Sequence, residues 1–175
     1  GVGINLVTKS GTDKFRGTAR TYVTDEKFQS NNVTPALRNQ GATTGNPIQN
    51  IFDYGLEAGF PIKKGRAWLW GSYGLQDIKV GINGFYKPDS ACQAMKAAPL
   101  SYSLEDIWTC LNTDLTNLKT FNMKAQVQTF KNNQFSFFMN TALKYRNARG
   151  ASDLTPIEST SQQIGVERSD LGSWL

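Results

Sequence analysis

Histidine is absent from the 175 residues of this chain. That removes the commonest general base and the commonest zinc ligand. A nucleophile–base pair could then be built only from Lys or carboxylate chemistry. Asp53 and Glu57 are spaced to share one strand face, about 13 Å apart by strand rise, beyond the ~5–9.5 Å expected of paired glycosidase carboxylates. Cys92 and Cys110 are the only 2 cysteines, too few for a four-ligand zinc site. The chain is expected to be no enzyme and to carry no metal and no other cofactor.

Long apolar runs are missing as well. Nothing approaches the ~20 residues that a membrane helix needs. That excludes a helical membrane protein but not a barrel, whose strands alternate apolar and polar residues. A mean hydropathy of -0.42 is therefore no argument against a membrane. The net charge is +5 and the pI about 9.3, but the cations are scattered, with only Lys63-Lys64 and Arg66 close together. Phosphate recognition needs a basic stripe, so nucleic acid is not an expected partner. The chain opens on Gly1-Val2-Gly3 with no initiator Met or signal segment, and it stops at Ser173-Trp174-Leu175 within a strand-like stretch. It is expected to be a piece of a longer polypeptide.

What is present is alternation. Phe52, Tyr54, Leu56, Ala58, Phe60 and Ile62 fall on one face of residues 51–62, with Asp53, Gly55, Glu57 and Gly59 opposite. Residues 121–130 repeat the pattern: Phe121, Met123, Ala125 and Val127 oppose Asn122, Lys124, Gln126 and Gln128. Residues 134–145 set Phe135, Phe137, Met139, Leu143 and Tyr145 against a face with Asn140 and Lys144. Period-two alternation predicts strands. Residues 66–80 read as a further strand, with Leu69, Gly71, Tyr73 and Leu75 outward and Trp68 and Trp70 inward or at an interface girdle. A weaker strand covers 15–24, and a sixth begins near 164. A soluble sandwich strand would alternate in the same way, with its apolar face in a core.

The connections separate these readings. Lys63-Lys64-Gly65 and Lys131-Asn132-Asn133 are short, and Asn, which tolerates positive φ, suits a tight hairpin. The connections over roughly 25–50, 82–119 and 147–162 are long. Short periplasmic turns alternating with long extracellular loops are the mark of outer-membrane barrels. Within the second loop, Ser103 with Asp106 predicts a capped helix whose apolar side carries Ile107, Trp108 and Leu111. A second short helix is predicted from Ser90 to Lys96, before Pro99. In an envelope protein Cys92 and Cys110 are expected to form a disulfide closing this loop, against the alternative of two buried thiols. Such helices can simply rigidify the loop or contribute to ligand capture.

The opening Ile4-Asn5-Leu6-Val7-Thr8-Lys9-Ser10-Gly11-Thr12-Asp13-Lys14-Phe15-Arg16-Gly17 resembles the plug–barrel junction of TonB-dependent receptors, most closely the Oar-like subgroup. The motif positions are Ile4, Asn5, Val7, Thr8, Lys9, Ser10, Gly11, Phe15 and Gly17. It departs from the subgroup pattern at Val2-Gly3, where a paired Gly is expected. Phe60-Pro61-Ile62 and Trp68-Leu69-Trp70-Gly71-Ser72-Tyr73 are similar to that subgroup's strands two and three. Ile4, Leu6 and the Val7-Thr8 pair read as a short β-segment, and Ser10-Gly11-Thr12-Asp13 as the turn leading into the wall.

The resemblance implies that residues 1–13 end a plug and residues 14–175 begin an antiparallel transmembrane β-barrel in the bacterial outer membrane. The fold expected is all-β, a partial barrel of about five to six strands with short helices in a disulfide-closed extracellular loop. The function implied is energised uptake of an unidentified substrate. The partners implied are the bilayer, the rest of the plug and barrel, and a TonB energy-coupling complex acting through segments absent here. Asp53, Glu57, Lys124, Gln126, Gln128, Asn140 and Lys144 are predicted to face the lumen, since a Lys exposed to lipid at the midplane costs about 2–4 kcal/mol. Lys9 and Arg16 are expected at a solvated lumen or rim. A passive porin shares the barrel signature without a reason for the opening motif, and a soluble sandwich shares only the alternation.

Overall fold

The computed structural model describes residues 8–42 and 44–174. Six strands form a single antiparallel sheet in sequence order. They are β1 (Arg16–Asp25), β2 (Ile48–Lys63), β3 (Ala67–Tyr86), β4 (Leu111–Phe130), β5 (Asn133–Arg149) and β6 (Ser161–Trp174). Strands of 16 to 20 residues in β2, β3, β4 and β5 far exceed the ~5–6 typical of soluble sheets and suffice for a tilted bilayer crossing.

The pairing register carries the alternation across the whole sheet. Leu56 pairs with Tyr73, Tyr73 with Phe121, and Phe121 with Thr141. One face therefore collects the apolar residues, and among the described residues no second sheet covers them. Leu56, Phe121, Val127 and Phe137 all remain exposed. A soluble sandwich would bury this face, whereas lipid is a solvent for it.

The buried core lies elsewhere, at the end with the long loops. Phe85, Leu104, Ile107, Leu111, Ala148 and the half-cystines are the buried apolar residues. Two helices build it, α2 (Ser90–Ala97) and α3 (Leu104–Cys110), each starting where a side chain caps it. Asp89 accepts from the Cys92 N–H and Ser103 from the Asp106 N–H, at 2.9 and 3.1 Å. The Cys92–Cys110 disulfide joins the helices with a Cα separation of 5.2 Å.

Several boundaries differ from expectation. β3 runs to Tyr86 and β4 starts at Leu111, so the second loop is shorter than the 82–119 predicted. Toward the long loops Asp77, Lys79, Asn117 and Lys119 fall on the otherwise apolar face and blur the alternation while backbone pairing continues. The third loop shrinks likewise, because β5 continues to Arg149 and β6 begins at Ser161. The Lys131–Asn132 turn is tight, but no described non-Gly residue takes positive φ. An irregularity between Gln128 and Phe130 closes that hairpin instead, while Gly65 supplies φ +67° in the other short turn. Trp108 does not join the core either: Ile107 and Leu111 are sealed inside at 1% and 0% exposure, and Trp108 is only half-buried on another face of α3.

Candidate functional site

The polar face of the sheet carries the side chains of chemical interest. Asp53, Glu57, Lys124, Gln126, Gln128, Asn140 and Lys144 share it. Asp53 stands opposite Gln76, Glu57 opposite Ser72, Lys124 opposite Trp70 and Phe138, and Asn140 opposite Asn122. Trp68 and Trp70 lie on this same face, opposite Gln126 and Lys124.

Hydrogen bonds tie the face into short chains. Asp53 accepts from Gln76 Nε2 at 2.6 Å and from Arg20 Nε at 3.4 Å. Asn140 Nδ2 donates to Asn122 Oδ1 at 2.6 Å, and Asn122 Nδ2 to Ser72 at 3.1 Å. Near the upper end Arg146 forms a forked pair with Asp114, donating from Nε at 2.9 and 3.0 Å. Bidentate geometry of this kind orients as well as attracts. Gln126, Gln128 and Lys144 fall outside these chains; Gln128 instead donates to the carbonyls of Phe130 and Lys131.

The segment ahead of β1 crosses this polar face. Lys124 Nζ on β4 donates to the Thr8 hydroxyl at 2.8 Å. Lys9 Nζ donates to Glu57 on β2 at 2.6 Å, and Thr18 holds the same carboxylate oxygen at 2.8 Å. Gly11 passes so close to the wall that a Cβ there would meet the Leu69 carbonyl oxygen at 2.6 Å. Only glycine permits that approach. Asp13 then reaches the β2–β3 turn, where its Oδ1 accepts the Gly65 N–H at 2.8 Å and Trp68 Nε1 at 2.7 Å. The Gly65 and Trp68 hydrogen bonds, helped by nearby Lys64, hold the Asp13 carboxyl below the ordinary carboxylate range.

Of the opening motif, Thr8, Lys9 and Gly11 make these approaches, while Ser10 lies in no strand, Phe15 is exposed just ahead of β1 and Gly17 is within it. Ile4, Asn5 and Val7 lie outside the described residues. Thr8 itself is in no strand. Lys9 is both exposed, at 66%, and paired with Glu57. Arg16 is exposed at the start of β1. Sequence reasoning missed the Asp13 clasp, although Asp13 sits in the turn cluster it singled out. It also missed α1 (Pro35–Asn39) in the first loop, which Thr34 followed by Pro35 signals as an N-cap and first-turn proline.

A family model described as an outer membrane beta barrel domain matches residues 7–165. The chain belongs to this family. Outer membrane beta barrel domains sit in the bacterial outer membrane, so the bilayer is the setting of this chain. In such barrels short turns generally face the periplasm and long loops the cell exterior. No curated protein and no solved structure matches the chain.

Proposed function

We propose that this chain is the plug–barrel junction and the first wall strands of a TonB-dependent outer-membrane transporter of the Oar-like kind, with residues 1–13 ending the plug. The observation that carries the reading is the path of residues 8–13. They run from Lys124 on β4 across Glu57 on β2 to the Gly65 turn, all on the polar face. In this reading the polar face lines the lumen, so the chain joins its barrel from within, and whatever precedes Thr8 starts inside the pore. A plug needs such a path. A passive porin has no use for it.

The wall's role is then threefold. Its apolar face holds the barrel in lipid. Its lumen-facing side chains, Asp53, Glu57, Lys124, Gln126, Gln128, Asn140 and Lys144, form the polar surface against which plug and substrate move. Its loops meet substrate outside. Energy arrives through a TonB complex pulling on segments upstream of this chain, and no covalent step is involved.

Two measurements on the full-length protein test this. In planar bilayers the intact polypeptide should conduct little, and deletion of everything upstream of Thr8 should open it. In cells, uptake should stop when a protonophore collapses the inner-membrane gradient. An intact protein that conducts freely, with uptake indifferent to the protonophore, is a porin, and the proposal fails.

A further inference from the structure

Outside the membrane a groove of about 540 Å³ opens between α3 and the start of β2. On α3, Glu105, Trp108 and Thr109 line it. Spacing of three and four residues places them on one helix face, turned away from the core that Leu104, Ile107 and Leu111 fill. Pro47, Ile48, Gln49 and the pair Glu26-Lys27 line the remainder.

Three features suit this groove to a ligand. Trp108, a large aromatic, lines the open groove, with its indole N–H turned inward and buried, so that the ring and not its N–H is what a ligand meets. Among the described residues, Glu26, Lys27 and Glu105 form no ion pair, so three charged groups stand ready at one opening. The walls are also fixed in advance. α3 is capped by Ser103 and joined to α2 by the disulfide, while Gln29 Oε1 accepts the Ile48 N–H at 2.6 Å and anchors the opposite wall. Pre-organised walls reduce the entropy cost of binding.

The donor–acceptor balance selects the ligand. Carboxylates only accept and an ammonium only donates. A polyanion would be repelled by Glu26 and Glu105, and a polycation, though drawn by those carboxylates, would leave the Lys27 ammonium without an acceptor. A hydroxyl both donates and accepts, so a polyhydroxylated ligand can satisfy all three. The C–H face of a pyranose carries the partial positive charge that the negative face of an indole attracts. We propose that this groove is a subsite for a neutral saccharide, stacked on Trp108 and hydrogen-bonded by Glu26, Lys27 and Glu105. Its place in uptake rests on the transporter reading above; the binding itself does not.

The test uses the full-length protein in lipid nanodiscs, titrated with maltohexaose, cellohexaose and xylohexaose, with hexagalacturonate and hexaglucosamine as charged probes. At least one neutral hexaose is expected to bind better than either charged probe. Trp108→Ala should weaken that binding roughly tenfold, while Trp108→Phe keeps most of it. Glu105→Lys, on the exposed side of α3, should shift preference toward hexagalacturonate, a change that mere loosening of the loop would not produce. Failure of every neutral hexaose, tighter binding of a charged probe, or a Trp108→Ala protein that binds as the wild type does would overturn the site. If binding behaves as expected but uptake ignores the protonophore, the subsite stands and the transporter reading falls.

Discussion

Asp13 and Trp68 meet at 2.7 Å across the mouth of the β2–β3 turn, indole N–H to carboxylate, and the same carboxylate oxygen also accepts the Gly65 N–H. One side chain thus fixes where the incoming segment leaves the polar face and becomes wall. Asp13→Asn keeps the size but loses the charge that strengthens both bonds. The expected outcome is several-fold faster amide exchange over residues 8–14, with β3 and β4 unchanged, by hydrogen-exchange mass spectrometry. The clasp also has a pH sign. Its folded-state pKa is lowered, so its contribution is fully present above the ordinary aspartate value near ~3.9. It is lost only as pH falls below that value and through the folded one. Protection of residues 8–14 that vanished at neutral pH would contradict this.

Met123 and Gln126 lie on the same strand and face opposite ways. An Arg placed at each tests which side meets lipid. Met123→Arg should cost about 2–4 kcal/mol, the penalty of a cation at the bilayer midplane. Gln126→Arg should be near neutral, because in the proposed barrel its face lines a hydrated lumen. Urea unfolding from lipid vesicles reads the difference. Cysteines at Lys124 and Val127 give an independent reading: a lipid-soluble thiol reagent that labelled position 124 and spared 127 would reverse the assignment of faces.

A close approach of a different kind ties the third loop to the end of β3. Gly84 has φ +76°, and a Cβ added there would meet the Asp153 Cβ of the third loop at 2.4 Å. A side chain there meets two objections, left-handed backbone strain of about 1–2 kcal/mol and a collision with Asp153. Gly84→Ala should therefore release the third loop while leaving β3 paired below Gly81. Chymotrypsin cleavage beside the exposed Leu154 should accelerate in the variant. An unchanged cleavage rate would mean that the loop is held by other contacts.

The sheet was legible in the sequence wherever lipid imposes a rule on one of its faces. Residues 51–62, 121–130 and 134–145 alternate because every second side chain must tolerate hydrocarbon, and β2, β4 and β5 contain them. Residues 111–120 lie beyond that rule, so Thr113, Asn117 and Lys119 give no period to read even though they pair with β3. The capping of α3 was legible, since Ser103 and Asp106 act locally. The destination of Trp108 was not, because adjacent positions on a helix differ by 100° and only the tertiary docking of Ile107 decides which face is inside. The grouping of Asp53, Glu57, Lys124 and Asn140 on one face followed from parity. Their partners did not, because Arg20, Gln76 and Asn122 are brought to them by the register between neighbouring strands, and Thr8 by the segment that crosses the face ahead of β1.

The Cys92–Cys110 bond closes a segment with a sequence separation of 18, for which chain entropy gives about 3 kcal/mol of stabilisation. Its removal should stay local. The cap is held by Leu104, Ile107 and Leu111, whereas the wall is held by backbone ladders that run the length of β2 to β5. A Cys92→Ser, Cys110→Ser double variant should therefore expose α2 and α3 to trypsin at Lys87 and Lys96 while the strands keep their protection in detergent. Ile107→Ala, which empties a fully enclosed site, should do the same at a cost of about 2–5 kcal/mol. The two changes act on one packed unit, so together they should cost less than the sum of the separate effects. If reduction of the disulfide instead collapsed the strands, cap and wall would form one cooperative structure, and the groove beside Trp108 could not be altered without altering the barrel.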